Sequence, residues 1–385
     1  MRKIAERLAD IEPFRVVEVL TRARELEAQG RDIVHLEVGE PDFATAQPIC
    51  EAGAQALIDG HTAYTPALGI MPLREAIAEW YQRRHNVSVA ADRIVITPGA
   101  SGALLLLSAL LVNPGDGVLL ADPGYPCNRH FVRMMEGEAQ LVAVTAAERY
   151  QLSGPGVAAH WQANTAGVMV ASPANPTGEI LPRSALRALW EAVQRRSGYL
   201  IVDEIYHGLS FGAEVSSILE VTSEAFVVNS FSKYFGMTGW RLGWLVAPED
   251  AVGDLEKLAQ NLFISPSAPA QYAALACFEP ATLHLLEERR LTFKARRDYL
   301  LPALRELGFG IPHCPDGGFY LYADIGRFSS DSRRWCANLL EEQGVAVTPG
   351  ADFGRYQAER HVRFAYTTEM DALREAVRRL EAALR

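Results

Sequence analysis

Residues 225–247 read AFVVNSFSKYFGMTGWRLGWLVA. One apolar run, 225–229, ends in hydroxyls and a lysine, Lys233, and a second apolar run follows at 242–247. Between the runs stand glycines, aromatics and Arg241, with no acidic residue. Short runs rich in Val and Leu, with little alternation, are the pattern of strands buried on both faces. A lysine at such a strand end is not explained by solvation alone, so the question is what ends the other strands.

Five more runs have this character: RIVIT (93–97), GVLLA (117–121), AQLVAV (139–144), GVMVA (167–171) and YLIVD (199–203). Helical patterns at 101–112 and 183–196 lie between some of them. This alternation predicts an α/β fold with a doubly wound, mostly parallel, seven-stranded sheet. Such sheets bind ligands at the carboxyl ends of their strands. The last hundred residues change character. A long charged helix, about 282–307, leads into GGFYLYADI (317–325), a helix at about 332–343, a strand at 361–367 and a final helix from Met370. The reading therefore divides the chain into a large domain at 46–284 and a smaller α+β domain formed by 1–45 and 285–385.

Composition narrows the function classes. The net charge of −10 disfavours a nucleic-acid surface, because phosphate backbones select basic proteins. Cys50, Cys127, Cys277, Cys314 and Cys336 are dispersed, with no metal-ligand spacing, so the expectation is reduced thiols, no metal and a cytoplasmic setting. The segment MRKIAERLADIEP lacks the apolar core of a secretory leader, and the run 103–112 is too short to span a bilayer. A soluble protein without membrane or nucleic-acid partners is expected.

Polar residues gather after the strands. TPGASGAL, following 93–97, exposes free N–H groups at a helix start and so offers an anion site. A plain tight turn with Ser101 as helix cap is the other reading. DPGYP sets Tyr125 on a turn, either to stack on a planar ring or simply to pack. NPTG, with Asn175, is by itself a good turn sequence. Asp203 closes an apolar strand and needs a cation or donor, unless it is a helix cap or a structural ion pair. Lys233 and Arg241 complete the set. Taken together, these groups suit a flat, electrophilic, anionic cofactor bearing a phosphate.

In this order the motifs VGEPDF (38–43), AYTPALGIMPLREAI (63–77), NPTG (175–178), DEIY (203–206), SFSKYFGMTGWRLG (230–243) and RFAYTT (363–368) resemble the class I/II aminotransferases of the aspartate aminotransferase-like superfamily. The resemblance covers nearly the whole chain. It implies the type I fold of enzymes dependent on pyridoxal 5′-phosphate, and a homodimer with active sites at the subunit interface. It implies that Lys233 bonds the cofactor's aldehyde and moves the substrate's α-proton, and that Asp203 pairs with the pyridine nitrogen. Tyr206 and Asn175 would hydrogen-bond the ring oxygen, and Tyr125 would stack on the ring. Ala100, Ser101, Ser230 and Arg241 would hold the phosphate, joined by Tyr64 from the neighbouring subunit. Arg363 would pair with the substrate carboxylate near the Gly39 backbone.

The resemblance does not fix the substrate side chain. Relatives that use aspartate hold its second carboxylate with a cation, some with a lysine where Ser101 stands, and place small hydroxyl residues where Phe14 and Val16 stand here. This favours a neutral or apolar amino acid as donor and a 2-oxo acid such as 2-oxoglutarate or pyruvate as acceptor. Arg15 could serve an acidic substrate if it faced inward. Trp161, His207, Trp240 and Trp244 could line the cleft or simply pack. Two other activities share parts of this pattern. β-Carbon–sulfur lyases and cyclopropane-forming synthases share the fold and most of these residues. Some transcription regulators carry such a domain behind a DNA-binding unit, but only about 30 residues precede VHLEVGEPDF here, too few for a winged helix.

Overall fold

The computed structural model describes residues 4–212 and 214–385. The first three residues, part of the segment read above for a leader, lie outside the described residues. The strands are β1 (Val34–His35), β2 (Ile94–Thr97), β3 (Gly117–Asp122), β4 (Glu138–Ala143), β5 (Thr165–Ala171), β6 (Tyr199–Asp203), β7 (Phe226–Ser230), β8 (Gly243–Val246), β9 (Tyr320–Asp324), β10 (Val345–Ala346), β11 (Thr348–Pro349) and β12 (His361–Ala365). Seven of them form one sheet in the order β2-β8-β7-β6-β5-β3-β4. All seven match apolar runs read from the sequence.

Only β8 runs against its neighbours, antiparallel to both β2 and β7. That return sets the site. Because β7 and β8 are antiparallel, with Ser230 opposite Gly243, the loop joining them sits at the carboxyl end of β7 and carries both Lys233 and Arg241. β2 runs with β7, so the carboxyl ends of β2, β3, β5, β6 and β7 share one edge.

The apolar runs lack alternation because both faces of the sheet are covered. Val168, Val170, Leu200, Val202 and Val227 join one buried cluster, while Met169, Ile201, Val228 and Leu245 join the other. Each such side chain contributes about 1.5–3 kcal/mol by leaving water. Polar groups are therefore held back to the strand ends, where the ladders stop.

A three-stranded antiparallel sheet, β11-β12-β9, carries Arg363 on its central strand, opposite Thr348 on one side and Tyr322 on the other. The N-terminal segment is stitched onto it. β1 pairs in parallel with β10, and the Ala365 N–H donates to the Leu36 carbonyl at 2.7 Å. Both Arg296 Nη groups, on the long helix Pro280–Glu306, donate at 2.7 Å to the two oxygens of Asp42. These contacts fix VGEPDF beside Arg363. The sequence reading had identified neither the helices Arg15–Ala28, Gln47–Ile58 and Met71–His85 nor the short strands β1, β10 and β11. No described helix is long and apolar enough to cross a membrane.

Candidate active site

A cavity of about 410 Å³ opens at the shared strand edge, between the large sheet, the N-terminal segment and β12. Phe14, Gly39, Ala100, Ser101, Tyr125, Asn175, Asp203, Tyr206, Ser230, Lys233, Arg241 and Arg363 all line it. Of the residues that the resemblance assigns to cofactor or substrate, Tyr64 stands elsewhere. It is 81% exposed, at the surface.

Lys233 donates from Nζ to the Gly39 carbonyl at 2.7 Å. The loss of water around it, with the nearby Arg363 and Arg241 charges, lowers its pKa from 10.5 to about 8 against the opposing pull of Glu40. An amine tuned this way is a usable base and nucleophile near neutral pH. Asp203, at the end of β6, is 4% exposed. Burial raises its carboxyl from 3.8 to about 6, although the Ile205 N–H donates to it at 3.0 Å and Lys233 lies near enough to oppose the shift. A buried carboxylate with so little protein compensation is a site for a cationic nitrogen.

The helix Gly99–Leu111 starts at the end of β2, with Gly99 at φ +72°. A Cβ on Gly99 would lie 2.6 Å from Arg241 Nη2, so the guanidinium rests directly on the turn. Gly243, opposite on β8, is as tightly packed, since a Cβ there would lie 2.8 Å from the Ala100 nitrogen. The helix begins two residues earlier than its sequence pattern suggested. Ser101 therefore falls inside the first turn rather than capping it, and exposes both N–H and hydroxyl. Free N–H groups, a helix N-terminus and a guanidinium make an anion cradle. The Ser230 hydroxyl is turned inward to Ser232 Oγ at 3.0 Å and the Leu242 carbonyl at 3.2 Å. Ser232, which the sequence reading passed over in SFSK, lines the same cavity.

Arg363 is 2% exposed and held from all sides. Nη1 donates to Asn175 Oδ1 at 2.9 Å, and Nη2 donates to the Glu37 carbonyl and to Thr348 Oγ1. Its guanidinium stacks between Tyr320 at 4.3 Å and Phe353 at 4.8 Å, and its buried Nε has no hydrogen-bond partner among the described residues. The Asn175 carbonyl is taken by Arg363, which leaves its NH₂ to face the cavity. The Tyr206 hydroxyl lies 2.8 Å from that of Tyr320, a residue to which the sequence reading gave no task.

Phe14, Val16, Val17 and Leu20 form an apolar wall, while Glu40 and Thr238 also line the cavity. Arg15 is not part of it. It lines a separate groove with Arg22 and Glu341, and its guanidinium lies 3.7 Å from Glu18. The helix that bears Val16, Val17 and Leu20 leaves Arg15 on another face, about 100° away per residue. None of Trp161, His207, Trp240 and Trp244 lines the cavity either. They pack, with Trp244 fully buried 4.8 Å from Phe231.

The family description "Aminotransferase class I and II" matches residues 31–380. The chain belongs to the class I and II aminotransferases. It is 38% identical to the valine–pyruvate aminotransferase of Mycobacterium tuberculosis, over 97% of this chain and 96% of the other. It is 35% identical to the aspartate/prephenate aminotransferase of Thermus thermophilus, over 100% of this chain and 99% of the other. A crystal structure of an aminotransferase from M. tuberculosis superposes with a TM-score of 0.96 at 37% identity, covering 100% of this chain and 99% of that one. This aminotransferase thus has the type I fold, and members of its family depend on pyridoxal phosphate.

Proposed function

We propose that this aminotransferase moves the amino group of a neutral, apolar L-amino acid to a 2-oxo acid such as 2-oxoglutarate or pyruvate. The observation that carries the choice of side chain is the wall of Phe14, Val16, Val17 and Leu20. Among the described lining residues only Lys233, Arg241 and Arg363 are basic, and each has another task in this reading. A side-chain carboxylate would be stripped of water there without a partner. The name of the M. tuberculosis relative, a valine–pyruvate aminotransferase, supports the same class.

The cavity fits pyridoxal phosphate: an undercompensated buried carboxylate, an anion cradle and a lysine amine face one space. Asp203 would hold the pyridine nitrogen, Asn175 and Tyr206 the ring oxygen, and Tyr125 the ring face. Ala100, Ser101, Ser230 and Arg241 would hold the phosphate. Bound pyridoxal phosphate supplies an aldehyde to which amines add and a ring that draws electrons from the substrate's α-carbon.

Arg363 pairs with the substrate's α-carboxylate and, braced by two aromatic faces and the Asn175 carbonyl, fixes how the α-carbon is presented. Lys233 Nζ, steered by the Gly39 carbonyl, would take the α-proton and hold it within the cavity for return. The apolar wall keeps water from the reacting carbon. Tyr64, exposed in one chain, would complete the phosphate site of a second copy, so the working unit is a homodimer.

A donor–acceptor screen with purified protein tests this reading. Valine, leucine, phenylalanine or methionine should give the corresponding 2-oxo acid at least ten times faster, per kcat/KM, than aspartate or glutamate. Aspartate as the best donor would reverse the assignment, and release of ammonia and pyruvate from a cysteine conjugate without transfer would point to elimination.

A further inference from the structure

Tyr320 opens β9, is 2% exposed and lines the cavity, yet its hydroxyl has no task in the reading above. Three contacts place it at a junction. Its hydroxyl lies 2.8 Å from that of Tyr206. Its ring supports the Arg363 guanidinium at 4.3 Å. A Cβ on Gly39 would sit 1.8 Å from its hydroxyl, so only glycine admits it beside the carbonyl that holds Lys233.

A tyrosine hydroxyl has one proton to give and can accept. If Tyr206 spends its proton on Tyr320, none remains for a ligand oxygen in the cavity. If Tyr320 donates, the Tyr206 proton is free to point inward. The Tyr320 hydroxyl makes no other hydrogen bond among the described residues, so nothing competes for its proton.

We propose that Tyr320 is a positioning residue with two separable tasks: its hydroxyl donates to Tyr206 so that Tyr206 donates into the cavity, and its ring braces Arg363 for the substrate carboxylate. This rests on the reading that Tyr206 meets the cofactor's ring oxygen and Arg363 the carboxylate. A hydroxyl that accepts a hydrogen bond becomes a stronger donor. Tyr320 thereby favours the ionised ring oxygen, and its loss moves that ionisation to higher pH. The brace acts on a different quantity. A cation over an aromatic face gains from the ring's quadrupole, most where water is excluded.

The test compares Tyr320→Phe with Tyr320→Leu in the pyridoxal phosphate-loaded enzyme. Two quantities are read: the pH midpoint of the bound cofactor's absorbance change, and KM against kcat for the amino donor. Tyr320→Phe should raise the absorbance midpoint by roughly half a unit and leave KM within about twofold, because the ring remains. Tyr320→Leu should raise the midpoint similarly and also raise KM about tenfold, with a smaller change in kcat. In a Tyr206→Phe background, Tyr320→Phe should add no further shift. An unmoved midpoint in Tyr320→Phe, or equal rises in KM for the two variants, overturns the proposal while leaving the site reading intact. A wild-type protein that binds no titrating cofactor overturns the site reading and this proposal with it.

Discussion

Lys233 Nζ and the Gly39 carbonyl meet at 2.7 Å, joining the β7–β8 loop of the large sheet to the segment stitched onto β12. The contact holds the amine at the cavity floor, where burial lowers its pKa to about 8. Only the neutral amine attacks an aldehyde, so cofactor uptake by the cofactor-free protein should accelerate with pH, with its midpoint near 8. Stopped-flow absorbance between pH 7 and pH 9.5 measures this. Borohydride should fix the cofactor to the wild type and leave Lys233→Ala without the added mass, folded but inactive. A flat rate across that range, or labelling of the variant, would refute the role given to Lys233.

Arg363 sits between two aromatic faces with Nη1 on Asn175 and Nη2 on Glu37 and Thr348. Lysine keeps the charge but loses the planar fork. Arg363→Lys should therefore lower kcat/KM by about 100-fold, mostly through KM for the amino donor, at unchanged cofactor affinity. An equal loss of cofactor affinity would assign Arg363 to the phosphate instead.

Much of this site is readable because each group follows a strand whose composition betrays it. The apolar run of β6 ends at Asp203, and that of β7 runs into SFSK. The position of Gly39 and Arg363 beside these residues was legible only through the motif order, since the contact depends on β1 pairing with β10 over three hundred residues away. Tyr320 was missed for a related reason. In GGFYLYADI its alternation reads as ordinary strand packing, and its task arises only from the antiparallel register that sets it opposite Ala365, two residues from Arg363. The side of the helix on which Arg15 lies was equally hidden, because a helix that buries Val16 and exposes Val17 has no strong stripe in that turn.

Ser101 is exposed on the first turn of its helix and lines the cavity near the apolar wall. A lysine there would add a cation able to meet a side-chain carboxylate. Ser101→Lys should raise kcat/KM for aspartate relative to valine by at least about tenfold, the size of one partly screened charge pair. Steady-state rates for both donors at equal acceptor concentration decide it. An unchanged ratio would mean that the substrate side chain points away from Ser101.

Glu204, next to Asp203 but directed into the protein, is fully buried and accepts from Ser217 Oγ at 2.9 and 3.0 Å and from the Ile218 N–H at 2.9 Å. Burial raises its carboxyl from 4.5 to about 8 against those donors. His207 Nδ1, 3.3 Å away, offers no charge in compensation, because burial holds that ring neutral. Between pH 4.5 and about 8 the folded protein keeps a proton that the unfolded chain has released. Stability must then fall as pH rises through this window, and below it Glu204 adds no pH dependence. Glu204→Gln preserves an acceptor for Ile218 and a donor for Ser217 without a titrating proton. The variant should gain on the wild type by about 3 °C or more in Tm between pH 5 and pH 8. Differential scanning fluorimetry across that range, on cofactor-loaded protein, measures the gap. A gap that stays constant, or that closes as pH rises, would show that Glu204 is already ionised in the folded protein.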